Sequence, residues 1–133
     1  MAKILCIEDE PELRRDLVEE LEDAGHQPFE ACNGVEGLRA ILSLRPELVI
    51  CDVSMPEMSG VELFRFVRRD FPSLSGMRFV FLSAFDDVAE QFDAQMQPDG
   101  FITKPVNYDQ LLSVVRTQCD NMGAICAPMD SND

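Results

Sequence analysis

The chain has 133 residues, 46% of them hydrophobic, a composition typical of one soluble globular domain with a substantial core. Its net charge of −14 makes a nucleic acid or an anionic membrane surface a poor partner, and no stretch of the sequence forms a basic patch. The first apolar run, residues 4–7, is too short for a signal peptide or a membrane span.

Cysteine usage favours a reducing compartment. The chain contains 5 cysteines without a CxxC pair, and its single histidine makes a zinc site improbable. Cys6, Cys32 and Cys51 end or interrupt apolar runs, where a free thiol packs like a small hydrophobic group. We therefore expect a reduced, cytoplasmic protein.

In chain order, short apolar runs alternate with segments of helical period. The runs predict strands at residues 4–7, 29–32, 48–51, 79–82 and 101–102. The predicted helical stripes are Leu13, Leu17, Val18 and Leu21; Val35, Leu38, Ile41 and Leu42; Leu63, Phe64 and Val67; and Tyr108, Leu111, Leu112 and Val115. Pro11 is expected near the start of the first helix and Asn107 at the cap of the last. A weaker fourth helix is predicted over about residues 87–97, and we expect it to be the least stable.

This alternation predicts an α/β domain with a parallel sheet covered by helices on both faces. We assign residues 1–119 to a (βα)5 domain of the flavodoxin-like, doubly wound class, with strand order 2-1-3-4-5. Residues 120–133 lack periodicity and are predicted to be a C-terminal tail or linker. Met1 stands just before the first predicted strand, as we expect of a natural N-terminus.

Acidic residues follow two of the predicted strands. Glu8 and Asp9 come after the first strand, and Asp52 comes after the third. Because these strands are neighbours in the flavodoxin-like order, the three carboxylates should converge at the carboxyl edge of the sheet. Clustered carboxylates need a cation, and a few oxygen ligands with room for water suit Mg²⁺ better than Ca²⁺.

Two further strands end in groups that suit phosphate chemistry. Ser83 follows the fourth strand and supplies a hydroxyl, and Lys104 follows the fifth and supplies an ammonium. Carboxylates, a metal, a hydroxyl and a lysine together describe a site that handles a phosphoryl group. Asp52 is the central carboxylate and the natural nucleophile for an acyl phosphate.

These motifs carry a resemblance. The chain resembles the response-regulator receiver domains of bacterial two-component signalling over about residues 3–118. The matching motifs are Glu8-Asp9, Asp52-Val53-Ser54-Met55-Pro56 with Gly60 beyond, Phe81-Leu82-Ser83-Ala84, and Lys104-Pro105. Each motif is weak alone, but four in order, each at the end of a separate strand, are specific.

The resemblance implies a role for each residue of the acidic site. Asp52 would be the phosphoacceptor. Asp9 and Asp52 would bind Mg²⁺ directly, the backbone carbonyl of Ser54 would be a third ligand, and Glu8 would act through water. Lys104 would pair with the Asp52 carboxylate and then with the phosphate.

The resemblance also implies a switch. Ser83 would move to hydrogen-bond a phosphate oxygen, and Phe101 would rotate inward when it does. The surface that changes would comprise the predicted fourth helix, the fifth strand and the last helix. The phosphoryl donor would be a sensor histidine kinase or a histidine phosphotransfer protein, and the target another protein. We expect no direct nucleic-acid or membrane binding, a monomer or weak dimer, and no enzymatic activity beyond limited self-catalysed phosphorylation and dephosphorylation.

Two departures from the family pattern are informative. Ser54 and Phe85 occupy positions that tune phosphate loss, and neither side chain orients water as a carboxylate or amide does. We therefore expect slow self-dephosphorylation. The segment 97–100 replaces a small-residue turn common in DNA-binding regulators, which weakens the case for the dimer face those proteins use.

Simpler interpretations remain open for single residues. Ser83 could cap a helix, Lys104 could be a loop lysine, and Phe101 could be only a core residue. For the whole chain, the main alternative is a receiver-like interaction module that works without phosphorylation. A phosphatase with an aspartyl nucleophile is disfavoured because its second acid would stand at Ser54. No output domain follows, so we expect either a stand-alone receiver or the N-terminal part of a longer regulator.

Overall fold

The computed structural model describes residues 2–84 and 97–126, and for residues 120–126 it describes the backbone alone. These parts contain five strands, four α-helices and one short 3-10 helix. In chain order they are β1 (Lys3–Ile7), α1 (Pro11–Asp23), β2 (Gln27–Ala31), α2 (Gly34–Leu44), β3 (Leu48–Asp52), α3 (Gly60–Asp70), the 3-10 helix (Pro72–Leu74), β4 (Arg78–Ser83), β5 (Gly100–Thr103) and α4 (Tyr108–Cys126).

The strands form one sheet with the predicted order β2-β1-β3-β4-β5, and every pair is parallel. β3 lies in the middle and all its residues are buried, which explains why its sequence is apolar without alternation. Ile7 pairs with Cys51, so β1 and β3 end side by side. The fold class predicted from the sequence is confirmed, and the loops after β1 and β3 lie next to each other.

The core consists of two layers, one on each face of the sheet. Under α2 and α3, strand residues such as Ile7, Cys51 and Phe81 pack against Phe64 and Val67. On the other face, alternate strand residues pack against Leu17 and Leu21 of α1 and Leu111 and Val115 of α4. These strand residues are Ile4, Cys6, Ile50, Val80 and Leu82. Cys6 and Cys51 are buried and free, and burial raises the pKa of the Cys6 thiol to about 12.

Local signals place the starts of α1 and α4 where the sequence predicts them, and a further local signal starts α3. Pro11 occupies the first turn of α1, where its missing N–H costs nothing. The Asn107 side chain accepts a hydrogen bond from the Gln110 N–H at 3.0 Å, as predicted for the cap of the last helix. Ser59 and Glu62 form a capping box at the start of α3, with both reciprocal hydrogen bonds present.

The predicted apolar stripe of α2 is wrong in part. Val35 and Leu42 are 41% and 40% exposed, although both are large hydrophobic residues. The buried residues of α2 are Gly34, Gly37 and Ile41; Gly37 lies against Ile7 of β1 and Gly34 lies against Met58 in the loop before α3. A Cβ on Gly37 would press against the Ile7 side chain, so this glycine lets the helix approach the sheet closely. A hydrophobicity pattern does not register glycine as a packing surface.

An ionic cluster lies at the amino-terminal edge of the sheet, in the segment that departs from the family pattern. The Asp99 carboxylate contacts Arg68 at 3.4 Å and Arg78 at 3.3 Å, and accepts a hydrogen bond from the Phe79 N–H at 2.8 Å. Gln118 on α4 donates to the Asp99 carbonyl at 3.2 Å. Asp99 therefore ties α3, β4 and α4 to the start of β5.

The last helix is longer than the sequence predicts. α4 continues to Cys126, so the boundary predicted at residue 119 falls inside this helix, and the boundary itself stays a prediction. The weak helix predicted over residues 87–97 lies outside the described residues, except for Gln97. None of the helices in residues 2–84 and 97–126 combines the length and apolar character that a membrane span requires.

Candidate functional site

The loop after β1 places two acids in different environments. The Glu8 side chain is buried, whereas Asp9 is exposed. The Glu8 N–H donates to the Ala31 carbonyl at 3.1 Å, and Glu8 Oε2 accepts a hydrogen bond from the Glu10 N–H at 3.1 Å. These contacts hold Glu8 against the end of the sheet, while Asp9 is solvent-exposed with a carboxylate oxygen near those of Glu8 and Asp52.

The loop after β3 places Asp52 beside them. Asp52 is 5% exposed, and its Oδ1 accepts a weak hydrogen bond from the Ser54 N–H at 3.3 Å. The loop is fixed on both sides, since Val53 N–H donates to the Leu82 carbonyl and Gly60 N–H donates to the Val53 carbonyl. Asp52 is thus held in place by α3 and β4 as well as by its own strand.

The loop after β5 brings the cation. Lys104 Nζ lies 3.2 Å from Asp52 Oδ2 and 3.3 Å from Glu8 Oε1. Lys104 N–H also donates to the Ser83 carbonyl at 2.6 Å, and the peptide bond to Pro105 is cis. The structure therefore brings together Glu8, Asp52 and Lys104, although the first and last of them are nearly a hundred residues apart in the chain.

The charges in this site perturb one another. Burial, and then the charge of Asp52, raise the pKa of Glu8 to about 7, although Lys104 opposes the shift. Burial alone would lower the pKa of Lys104, but the carboxylates of Asp52 and Glu8 outweigh burial and raise it. The site therefore has more negative charge than its single lysine balances, and it favours a further cation.

The oxygen atoms of the site fit a metal ion. Glu8, Asp9 and Asp52 each present a carboxylate oxygen, and these three atoms lie within 4.8 Å of one another. Glu8 Oε1 is buried, and its neighbour is the Lys104 ammonium, with which it forms an ion pair at 3.3 Å. Three carboxylate oxygens this close together, with one ammonium beside them, suit a small divalent cation such as Mg²⁺, which binds oxygen and retains water ligands.

The remaining predicted site residues lie near this cluster. Ser83 is 5% exposed and ends β4, where it pairs with Thr103 of β5. Phe101 is partly exposed, and its ring centroid lies 6.4 Å from that of Phe81. Ser54 is exposed beside Asp52. The switch roles of Ser83 and Phe101 and the metal role of the Ser54 carbonyl stay predictions, and Phe85 lies outside the described residues.

Sequence reasoning missed one contact of this site. Arg14, on the first turns of α1, donates to the Glu8 carbonyl through Nη1 at 2.7 Å and pairs with Glu30 of β2 at 3.0 Å. The available signal was a basic residue at the start of an otherwise acidic helix. Such residues are usually solvated, so no sequence pattern distinguished Arg14 from its neighbour Arg15.

Fold and site together define a flavodoxin-like signalling domain with an acidic, lysine-paired site at the carboxyl edge of a parallel sheet. Comparison with known families gives the same answer, because the profile of the response regulator receiver domain matches residues 4–116. The chain belongs to the response-regulator receiver domain family of two-component signalling. The resemblance inferred from its four motifs is confirmed.

Individual relatives agree. The chain is 35% identical over 120 residues to the sensor kinase CckA of Brucella abortus, a match that covers 86% of this chain and 12% of that protein. It is 33% identical over 115 residues to the transcriptional regulatory protein GlrR of Escherichia coli, covering 86% of this chain and 25% of that one. The chain spans between 12% and 50% of the length of these and other curated relatives.

A solved structure adds the ligand chemistry of a relative. The response regulator TrrA of Thermotoga maritima, determined in complex with Mg²⁺ and BeF, superposes with a TM-score of 0.78 at 30% identity. That match covers 89% of this chain and 99% of the TrrA chain. The sheet edge that holds the acidic cluster here therefore belongs to a fold that accommodates Mg²⁺ in a relative.

Proposed function

We propose that this domain is a phosphorylation-dependent switch that accepts a phosphoryl group on Asp52 with Mg²⁺. The observation that most supports this function is the position of Lys104, whose ammonium contacts both Asp52 and Glu8 at the carboxyl edge of the sheet. A lysine between two buried carboxylates is costly to maintain for stability alone. Such a lysine is expected in a site that binds an incoming phosphoryl group, because its ammonium neutralises the added negative charge.

The proposed reaction is a transfer from a phosphohistidine of a sensor histidine kinase or histidine phosphotransfer protein. A carboxylate oxygen of Asp52 forms a P–O bond as the P–N bond to the donor imidazole breaks. The electron pair of that bond returns to the imidazole nitrogen, which then takes a proton from solvent. Hydrolysis of the acyl phosphate by water regenerates the Asp52 carboxylate, and we propose no other enzymatic activity.

Residues around Asp52 have distinct roles in this proposal. Asp9, Asp52 and the Ser54 carbonyl would hold Mg²⁺, with Glu8 acting through water. When bound, the ion offsets the negative charge of the carboxylates and of the phosphoryl oxygens. Lys104 exchanges part of its contact with the Asp52 carboxylate for a contact with the phosphoryl group, and so keeps the added charge paired.

Signal output is proposed to pass through Ser83 and Phe101. Ser83 is buried at the end of β4 and Phe101 lies on the neighbouring β5, so a shift at the phosphoryl group has a short route to β5. The proposed output surface comprises the predicted fourth helix, β5 and α4. The partner on that face would be another protein, since the net charge of −14 disfavours nucleic acid.

The decisive experiment is intact mass after incubation with Mg²⁺ and a small acyl phosphate. We expect the wild type to gain one phosphoryl group, and Asp52→Asn and the chelator-treated wild type to gain none. Asp70→Asn is the matched control, because Asp70 is an exposed acid at the end of α3 and should leave the adduct unchanged.

Failure would favour the alternative function. If the wild type forms no adduct and also fails to bind beryllium fluoride, the phosphorylation switch is wrong. A receiver-like interaction module that works without phosphate would then be the better description. An adduct that persists in Asp52→Asn would instead place the acceptor at another residue.

A further inference from the structure

Arg14 contacts the acidic loop without belonging to it. Its side chain is 19% exposed, and it bridges two strands by contacting the Glu8 carbonyl after β1 and the Glu30 carboxylate in β2. Its own backbone N–H donates to the Glu10 carbonyl at 3.0 Å. Arg14 therefore touches the loop at both its first and last acidic residues.

The contact with Glu8 fixes a particular peptide group. The Glu8 carbonyl belongs to the peptide bond that leads into Asp9, and the Glu8 N–H on the other side is already bound to Ala31. The Glu8 N–H belongs to the preceding Ile7–Glu8 peptide, so its bond to Ala31 holds the start of the loop. The hydrogen bond from Arg14 to the Glu8 carbonyl restrains the Glu8–Asp9 peptide itself. The plane of that peptide determines where the Asp9 side chain begins, and Asp9 is one of the three carboxylates of the cluster.

The two contacts of Arg14 differ in weight. Glu30 is 50% exposed, so its ion pair with Arg14 is screened by water and contributes little. The hydrogen bond to the Glu8 carbonyl is shorter, at 2.7 Å, charge-assisted and partly buried. The link to the Glu8 carbonyl therefore dominates, and Glu30 mainly keeps the guanidinium aligned.

We propose that Arg14 is a positioning residue of the Mg²⁺ site: by holding the Glu8–Asp9 peptide it keeps Asp9 aimed at the cluster formed with Glu8 and Asp52. This inference rests on the proposed Mg²⁺ site. Replacing a residue that orients a metal ligand typically weakens metal binding by about ten- to a hundredfold.

An electrostatic role and a positioning role for Arg14 predict opposite changes in Mg²⁺ affinity when Arg14 is replaced. Removing a positive charge near a cation site should tighten Mg²⁺ binding, because the site becomes more negative. Releasing the Glu8–Asp9 peptide should weaken Mg²⁺ binding, because Asp9 is no longer held in place. The sign of the change in affinity therefore separates a positioning role from a purely electrostatic one.

Arg15 is the matched control. It stands next to Arg14 on α1, carries the same charge and is exposed. The experiment is calorimetric titration of the metal-free protein with Mg²⁺ for the wild type, Arg14→Met and Arg15→Met. We expect the dissociation constant to rise about tenfold or more in Arg14→Met and to stay equal or fall slightly in Arg15→Met.

A second measurement needs no metal. The Glu10 N–H is bound to Glu8 Oε2, so its hydrogen exchange reports on the order of the loop. Exchange at Glu10 in the metal-free protein should be faster in Arg14→Met than in the wild type and unchanged in Arg15→Met. If Arg14→Met does not fold, Arg14→Lys and Arg15→Lys replace the pair, with a severalfold loss of affinity expected for Arg14→Lys alone.

The outcomes distinguish this inference from the proposed function. Equal or tighter Mg²⁺ binding by Arg14→Met, or by Arg14→Lys where that variant is used, would overturn the positioning role while leaving the metal site intact. A wild type that does not bind Mg²⁺ would overturn both the metal site and the role of Arg14 in it. Weaker binding by both the Arg14 and Arg15 variants would also overturn it, since the effect would not depend on the Glu8 contact.

Discussion

Lys104 Nζ lies 3.2 Å from Asp52 Oδ2, in an ion pair that joins the end of β5 to the end of β3 across the intervening β4. The lysine side chain is 24% exposed and the aspartate side chain 8% exposed, so the pair is shielded from water on the acidic side more than on the basic side. The same ammonium contacts Glu8. Lys104 is therefore the cation that lets two buried carboxylates lie side by side in the metal-free domain.

Replacing Lys104 with Met should destabilise the metal-free protein at pH 8 by about 1 to 3 kcal/mol, because two buried carboxylates lose their cation. Saturating Mg²⁺ should recover part of this loss. Urea denaturation with chelator and with Mg²⁺ measures both effects. Arg116→Met controls for the loss of one positive charge, since Arg116 is exposed on α4. Equal stability of the two variants in chelator would show that the Lys104 pairs contribute nothing.

Glu8 should make the stability of the metal-free protein depend on pH. Its pKa in the folded state is raised from 4.5 to about 7, mainly by burial. The folded protein therefore binds this proton more tightly than the unfolded chain, so the contribution of Glu8 to stability is fully present below about pH 4.5 and is lost as pH rises through 7. We expect this loss, on the order of 2 kcal/mol, to disappear in Glu8→Gln.

Urea denaturation between pH 5 and pH 8 in chelator tests the prediction for Glu8. Glu12→Gln is the control, because Glu12 is an exposed acid in the first turn of α1 and its replacement should leave the wild-type pH profile unchanged. A Glu8→Gln profile parallel to the wild type would contradict the raised pKa.

Gly60 should be intolerant of substitution. A Cβ at this position would overlap the carbonyl oxygen of Asp52, a backbone atom that cannot rotate away. Gly60→Ala should therefore destabilise the protein by about 1 to 3 kcal/mol and displace the phosphoacceptor. Thermal denaturation and the acyl phosphate assay measure the two consequences.

The control for Gly60 is Gly76→Ala, since a Cβ on Gly76 meets nothing within 4 Å. We expect Gly76→Ala to be neutral or slightly stabilising because alanine restricts the unfolded chain. Similar losses in the two variants would mean that the close approach to Asp52 is not responsible.

Asp99 should contribute far more to the free energy of unfolding than a typical surface acid does. Asp99→Asn removes the charge that pairs with both Arg68 and Arg78 and leaves two partly buried guanidinium groups without a counterion. We expect a loss of about 2 to 3 kcal/mol in the free energy of unfolding. Asp70→Asn is the control, because its ion pair with Arg69 is exposed and should contribute about 0 to 1 kcal/mol. Equal effects in urea denaturation would refute the role of the Asp99 cluster.

Much of the fold was predictable because its signals are local. Pro11, Asn107 and the apolar runs act within a few residues of where they stand, and the structure begins helices and strands there. The site was predictable for a related reason. Once the strands are parallel, residues that follow them must meet at one edge, so Glu8, Asp52 and Lys104 converge whatever separates them in the chain.

Features that depend on packing partners were not predictable. α2 turned Gly37 to the sheet and left Val35 and Leu42 exposed, so its packed surface includes a glycine that a hydrophobicity pattern does not register. The sequence also did not distinguish Arg14 from Arg15, since their difference arises only from the rotation of α1 relative to the Glu8 carbonyl.

The sequence by itself determined the alternation of strands and helices and the identity of the groups at the strand ends. Only the tertiary structure decided that Glu8 is buried while Asp9 is exposed, that Lys104 is shared between Glu8 and Asp52, and that Arg14 donates to the Glu8 carbonyl. The physical reason is the distance along the chain over which each interaction acts. Helical period and capping act over a few bonds, whereas burial and ion pairing depend on atoms that only the folded chain brings within about 4 Å.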